Sequence, residues 1–267
     1  MKVFISADIE GVTTTTAFDE CGYGHASYPL HARQMTDEVL AAVSGAKNAG
    51  ATHIVVKDAH DTARNIDPTR MPSGVTLLRS WSGHPYEMAS GIDNSFDAAM
   101  FVGYHSSAGR MGNPMAHTMS SRHVHSLRIN GVIASEFLLY SYACALEGVP
   151  TVFLSGDKML CDDFKDLHPC LVTCPVKDGI GAMTVSYSTE DTLRNIKELS
   201  EKALRQDLKN ALPKLPNHFE AELHFKKHQQ ASRAAWFPGV ARTSDHIVTY
   251  SSDNFFEILR TTSWILS

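Results

Sequence analysis

A chain of 267 residues, 43% hydrophobic and 20% charged, holds enough apolar material for one large α/β domain, or a main domain carrying a smaller one, and does not read as disordered. Its formal net charge is −5 and its lysines and arginines form no block, which argues against a phosphate-tracking surface and so against nucleic-acid partners. No apolar run approaches the ~20 residues of a membrane-spanning helix. The basic and then apolar start at Met1–Ile5 stops at Asp8 and Glu10, too early for a signal peptide, and five scattered cysteines read as reduced thiols of a cytoplasmic protein.

Four short apolar segments, Lys2–Ala7, His53–Lys57, Ala98–Val102 and Thr151–Ser155, have the length and content of buried strands. Between the first two, residues 30–48 carry helical spacing through Met35, Val39, Ala42, Val43 and Ala46, with Gly50 just beyond as a stop. Asn130-Gly131 between apolar flanks at 127–134 signals a hairpin, because both residues tolerate positive φ. Residues 136–147 then read as a helix apolar nearly all round, hence buried, and 189–211 as a charged amphipathic helix. Pro213 and Pro216 interrupt the chain. Beyond them Phe219–Phe225 and His246–Tyr250 read as strands, and Asp253 stands where it can cap a last helix reaching Leu266. The alternation predicts an α/β fold with a mainly parallel sheet covered by helices in residues 1–212, and a smaller α+β portion packed on it in residues 213–267.

Strand ends carry the chemistry. The first strand runs into Asp8 and Glu10, two apart, the second into Asp58-Ala59-His60, the third into Gly103-Tyr104-His105, and the hairpin leads to Glu136 at the head of the buried helix. Ligands of open α/β sheets bind beyond the carboxyl ends of the strands, so four separate segments aim acid and imidazole groups at one edge. With 14 histidines in the chain, any one of them alone is more often structural than a ligand; the constellation is what counts. Two acids ending an apolar strand would also be costly to bury unpaired. Three carboxylates and a bridging hydroxide balance two divalent ions. The imidazole and carboxylate donors suit zinc, and a shared carboxylate, for which Asp8 is central, is the usual way to hold metals ~3.5–4 Å apart.

Other patterns carry less. Gly179-Ile180-Gly181 lacks the third glycine of a dinucleotide fingerprint; His224 and His228 read as a solvated face; His123 and His125 read as structural; Asp157, after the fourth strand segment, reads as a group supporting the site rather than a ligand.

Ser6-Ala7-Asp8-Ile9-Glu10-Gly11 resembles the SxDxEG signature of the DppA-type D-aminopeptidases, the zinc peptidases of family M55. The resemblance continues through Asp58-Ala59-His60, Gly103-Tyr104-His105, His117-Thr118-Met119, Asn130-Gly131 leading to Glu136, Gly148-Val149-Pro150, Gly156-Asp157 and, more loosely, Phe237-Pro238-Gly239. It implies two Zn²⁺ per subunit, with Asp8 bridging, Glu10 and His105 completing one site, and His60 and Glu136 the other. It implies that His117 is the additional catalytic histidine, as nucleophile or acid/base group; a metal-activated water already being a nucleophile, acid/base work is the reading favoured. It also implies a ring-shaped homodecamer and short peptide substrates with an N-terminal D-residue such as D-Ala. Two departures, Lys158 after Gly156-Asp157 and Ser135 before Glu136, remove no ligand but bear on the shape and charge of the substrate pocket. An amidohydrolase or phosphoesterase built on the same two-metal centre is the alternative, the latter weakened by the lack of an Arg/Lys cluster near the ligands. A structural zinc site is disfavoured because the proposed set contains no cysteine.

Overall fold

In the computed structural model, which describes residues 1–166 and 170–267, two sheets are built from twelve strands and flanked by six α-helices. The strands are β1 (Lys2–Ala7), β2 (His53–Asp58), β3 (Val75–Leu78), β4 (Ala98–Tyr104), β5 (Val124–Ile129), β6 (Val132–Ile133), β7 (Thr151–Asp157), β8 (Val172–Ile180), β9 (Met183–Ser186), β10 (Phe219–Phe225), β11 (Ala241–Arg242) and β12 (Ile247–Ser252). The helices are α1 (Tyr28–Asn48), α2 (Glu136–Leu146), α3 (Lys158–Phe164), α4 (Thr189–Leu204), α5 (His228–Ala234) and α6 (Phe255–Leu266).

The larger sheet has the order β3-β2-β1-β4-β7-β8-β9, parallel except for the antiparallel edge pair β8–β9. Successive side chains leave a strand on opposite faces, and the central strands divide between two cores accordingly. Val3, Ile5 and Ala7 of β1 and Ala98, Met100 and Val102 of β4 join the core under α1 and α4. Phe4, Ala99 and Phe101 join the other core, with Phe137 of α2 and Leu160 and Phe164 of α3. The sheet is thus covered on both faces, as the alternation of segments predicts. Helix α1 buries the predicted stripe of Met35, Val39, Ala42, Val43 and Ala46, and the chain leaves it through Gly50 at φ 96°.

The second sheet is antiparallel, in the order β11-β12-β10-β5-β6. Its turn at Asn130 (φ 49°) and Gly131 (φ 79°) is the predicted hairpin. Of the strands after Pro216, β10 pairs with β5 and β12 with β10, so this sheet draws on both stretches of the chain, and α6 packs against α2 and β12.

Several boundaries differ from expectation for local reasons. The amphipathic helix ends at Leu204 rather than Ala211, because Asp207 accepts a hydrogen bond from the Lys209 amide and starts a separate 3₁₀ turn at Leu208–Asn210. Asn254, not Asp253, caps α6 through the Phe256 amide, while Asp253 pairs with His218 at 2.6 Å. No helix among the described residues is long and apolar enough to cross a membrane.

Candidate active site

The order of the larger sheet reverses beside β1, whose neighbours β2 and β4 both come later in the chain, and the cluster of acids and imidazoles lies at the carboxyl ends of these three strands. Asp8 follows β1 directly. The next residues turn sharply, and the loop is pinned from four directions. Gly11 N–H donates to the Gly103 carbonyl (2.8 Å), and Thr13 donates through its amide (3.0 Å) and its hydroxyl (2.7 Å) to Glu38 of α1. The Glu10 carbonyl accepts from Asn113 (3.0 Å) and from the buried ammonium of Lys177 (2.5 Å), which also donates to the Thr15 carbonyl. Burial pushes the Lys177 ammonium down to about 8, against the pull of Asp157 and Glu38.

The loop that presents His60 is shaped by Asp58, whose carboxylate accepts from the amides of Asn65 (2.5 Å) and Ile66 (2.7 Å) and from the Asn65 side chain (2.8 Å). The loop that presents His105 is held by Asp157, which accepts from the Ser106 amide (2.6 Å) and hydroxyl (2.5 Å) and caps α3 at Leu160. Asp157 therefore supports the site from behind. Glu136 opens α2, capped by the buried Ser135, and accepts from the Met119 amide at 2.7 Å.

All six predicted site residues meet here. His60 Nδ1 lies 2.8 Å from Glu10 Oε2 and 3.3 Å from Asp8 Oδ1; His105 Nε2 lies 3.2 Å from Glu136 Oε2 and 3.5 Å from Asp8 Oδ2. Asp8 thus stands between the two imidazoles. The nearest partners are Glu10 for His60 and Glu136 for His105, whereas the family resemblance groups Glu10 with His105 and Glu136 with His60. His117 stacks on His105 with ring centroids 4.3 Å apart, and its Nε2 is 3.6 Å from Glu136 and 4.0 Å from Glu10.

Each imidazole spends one nitrogen on a backbone carbonyl: His60 Nε2 on Cys21 (3.1 Å), His105 Nδ1 on Ser106 (2.9 Å), and His117 Nδ1 on Met115 (2.8 Å). A nitrogen engaged with a carbonyl must carry the hydrogen, so in a neutral ring the other nitrogen is a lone pair facing the acids, the arrangement of a metal-ligating histidine. Asp8 Oδ2, Glu10 Oε2 and His105 Nε2 are buried and make no hydrogen bond. Without a cation the cluster is electrostatically awkward. Burial and the adjacent Glu10 push Asp8 up to about 8, and although burial opposes it, the carboxylates Glu136 and Asp8 lift His105 to about 10. Burial also opposes a charged His60, yet Glu10 and Asp8 hold it well above the usual imidazole range. These donors fit one or two divalent ions. The sets Asp8–His105–Glu136, Glu10–Cys21–His60 and Glu10–His105–His117 each bring their ligand atoms within 4.8 Å of one another.

Cys21 was not visible as a member of the site. It belongs to the loop between β1 and α1, which folds back over His60, and no spacing rule marks it. Burial raises its thiol, so it stands at the site in the protonated form. Of the two departures noted in the sequence, Lys158 is exposed and pairs with Asp162, and Ser135 is buried and caps its helix through the Leu138 amide.

The acids and His117 line a cavity of about 960 Å³, whose other walls come from residues within the segments 18–25, 81–90 and 119–122 and from Ser263 of α6. The chain matches the peptidase M55 family, D-aminopeptidase, over residues 1–264. It is 27% identical over 261 residues to a D-aminopeptidase of Bacillus subtilis (strain 168), covering 96% of this chain and 93% of that protein. Its fold superposes with TM-score 0.91 on the Zn-dependent D-aminopeptidase DppA from Bacillus subtilis, a self-compartmentalizing protease, at 24% identity, covering 100% of this chain and 97% of that one. With its signature acids, histidines and hairpin in order along nearly its whole length, the chain belongs to the M55 family of D-aminopeptidases.

Proposed function

We propose that this enzyme removes the N-terminal residue, a D-amino acid such as D-Ala, from short peptides, using two zinc ions held by Asp8, Glu10, His60, His105 and Glu136, with Asp8 as the bridge and His117 as the proton-transfer group. The observation that carries the reading is the set of three imidazoles, each fixed by a backbone carbonyl so that its second nitrogen faces two of three buried carboxylates. Imidazole with carboxylate is a zinc-type donor set, and the similar Bacillus enzyme is Zn-dependent. When bound, zinc supplies Lewis acidity for the scissile carbonyl and acidifies water.

The remaining work falls to the chain. His117 Nε2 opens onto the cavity floor, and its ring is fixed by the Met115 carbonyl and by stacking on His105. It accepts the proton of the attacking water and hands it to the amine nitrogen as the C–N bond breaks. The walls around the floor limit the approach of bulk water and the length of peptide that reaches it.

A cytoplasmic, ring-shaped homodecamer is part of this reading. Five free cysteines fit a reducing compartment. Large apolar side chains stand exposed, with Trp236 at 87% and Trp264 at 63%, as on a surface that meets another copy. The decisive experiment is a panel of D- and L-aminoacyl p-nitroanilides and dipeptides, assayed before and after chelation, with elemental analysis and the solution mass of the same preparation. Turnover of D-substrates with close to two zinc per chain and ten copies of the 29.3 kDa chain is expected. Activity that survives full metal removal would overturn the reading.

A further inference from the structure

An aminopeptidase must hold a free α-ammonium next to the scissile bond, yet the carboxylates on the cavity floor are all committed to the proposed metal site. Two further acids line the cavity, Asp61 and Glu87. Asp61 is exposed and solvated, whereas Glu87 is part-buried and fixed in place. Its Oε2 accepts from the Tyr140 hydroxyl at 2.6 Å and its Oε1 accepts from the Ser263 hydroxyl. Tyr140 lies one helical turn beyond Glu136 on α2, so the hydroxyl that anchors Glu87 is tied to the element that carries a proposed metal ligand.

Glu87 is held there against resistance. Its backbone adopts φ 34°, a region that non-glycine residues rarely occupy and that persists where surrounding contacts impose it. Those contacts reach back to the signature strand, where Ser6 donates its hydroxyl to the Met88 carbonyl (2.7 Å) and meets the Tyr104 hydroxyl (2.6 Å). Burial raises the Glu87 carboxyl, and among the described residues no lysine, arginine or histidine pairs with it. A carboxylate so placed lacks a cation. Two hydroxyl donors leave further lone-pair sites on its oxygens.

We infer that Glu87 receives the α-ammonium of the substrate, on the wall beside the metal centre, and thereby makes the enzyme select a free N-terminus. The inference rests on the aminopeptidase reading, and it adds a residue for substrate recognition that neither metal binding nor proton transfer requires. Tyr140 and Ser263 are positioning residues for that carboxylate, and Ser263 brings α6 into substrate selection.

The test compares a peptide beginning with D-Ala and the same peptide with its α-amine replaced by hydroxyl. Wild-type enzyme should favour the amine. Glu87→Gln keeps the shape and removes the charge, so kcat/KM for the amine substrate should fall ~10–100-fold, the worth of one charge-assisted hydrogen bond. The fall should be mainly in KM, with the hydroxyl substrate and the zinc content unchanged. An equal loss on both substrates, or an intact preference in Glu87→Gln, overturns the inference while leaving the aminopeptidase reading in place. A wild type that cleaves neither substrate overturns both. Should Glu87→Gln fail to fold, Ser263→Ala should alter KM several-fold for the amine substrate alone, and no selective change in that variant overturns the inference.

Discussion

Gly11 shows how little room a single side chain has at this site. A Cβ built there would lie 1.7 Å from the Tyr104 carbonyl oxygen, on the strand end that presents His105. The close passage of the two loops is what brings Glu10 and His105 together beside Asp8, so glycine here is a requirement of the arrangement of the acids and imidazoles. Gly11→Ala should lose ~1–3 kcal/mol, as overpacked sites do, and should bind metal much more weakly; thermal melting with a zinc titration measures both, and native affinity in the variant would contradict the account. His117 makes the complementary case, since its removal leaves the five proposed ligands untouched. His117→Ala should keep its zinc and its fold while kcat drops ~10²–10⁴-fold. Lowered stability with intact turnover would mean that His117 is structural. These residues were legible because each follows an apolar strand segment or sits within the family signature. Glu87 and Cys21 were not, since they lie at short 3₁₀ turns between the longer elements, whose return to the site is a property of the tertiary fold, without local periodicity.

At the scale of elements, the strands with uninterrupted apolar runs were readable and β8 was not. Its sequence, Val172–Ile180, contains Pro175, which cannot donate to the ladder and normally demotes a strand, followed by the charged pair Lys177-Asp178. The structure resolves the conflict through register. Pro175 lies opposite Gly156, next to an irregularity in the β7–β8 pairing, and Lys177 turns inward to grip the loop that carries Glu10. A charge that argued against a buried strand is there to satisfy two loop carbonyls. Lys177→Met removes both hydrogen bonds and should cost ~1–3 kcal/mol, chiefly through the Thr15 carbonyl, since the Glu10 carbonyl keeps its bond from Asn113, with zinc affinity falling as the Glu10 loop loosens. Unchanged zinc affinity in a folded Lys177→Met protein would show that the loop is held without it. Helix packing was only partly legible for a similar reason. Gly45 inside α1 reads as a weak point of a helix, whereas a Cβ there would meet Ser200 Oγ at 2.1 Å and the Lys197 carbonyl at 2.3 Å, so it is the contact point of α1 with α4.

For the whole molecule, the site joins stability to metal and to pH. His60 and His105 hold their protons to a higher pH in the metal-free fold than in the unfolded chain, and Asp8 does the same, up to about 8. A raised folded-state pKa contributes stability that is complete below the unfolded value and is lost as pH rises through the folded one. For the histidines that window opens near the unperturbed imidazole value, ~6.5, and for His105 it closes at about 10. Zinc held by the proposed ligands would require these groups without their protons, so it would compete with protons below that limit, and its binding would release them. The stabilisation by a ligand grows with its affinity; the rise in melting temperature on adding zinc should therefore be small at pH 6 and increase steadily toward pH 9. Calorimetric zinc titrations at pH 7.5 in buffers of different ionisation enthalpy should show net proton release, and calorimetric melts with and without zinc across the pH range give the shift itself. Asp8→Ala removes both the proposed shared ligand and one of the protons it would displace, so it should abolish the zinc-dependent shift, while Glu10→Ala should weaken only part of it. A zinc shift of equal size at pH 6 and pH 9 in the unmodified protein would mean that neither His60 nor His105 meets the metal.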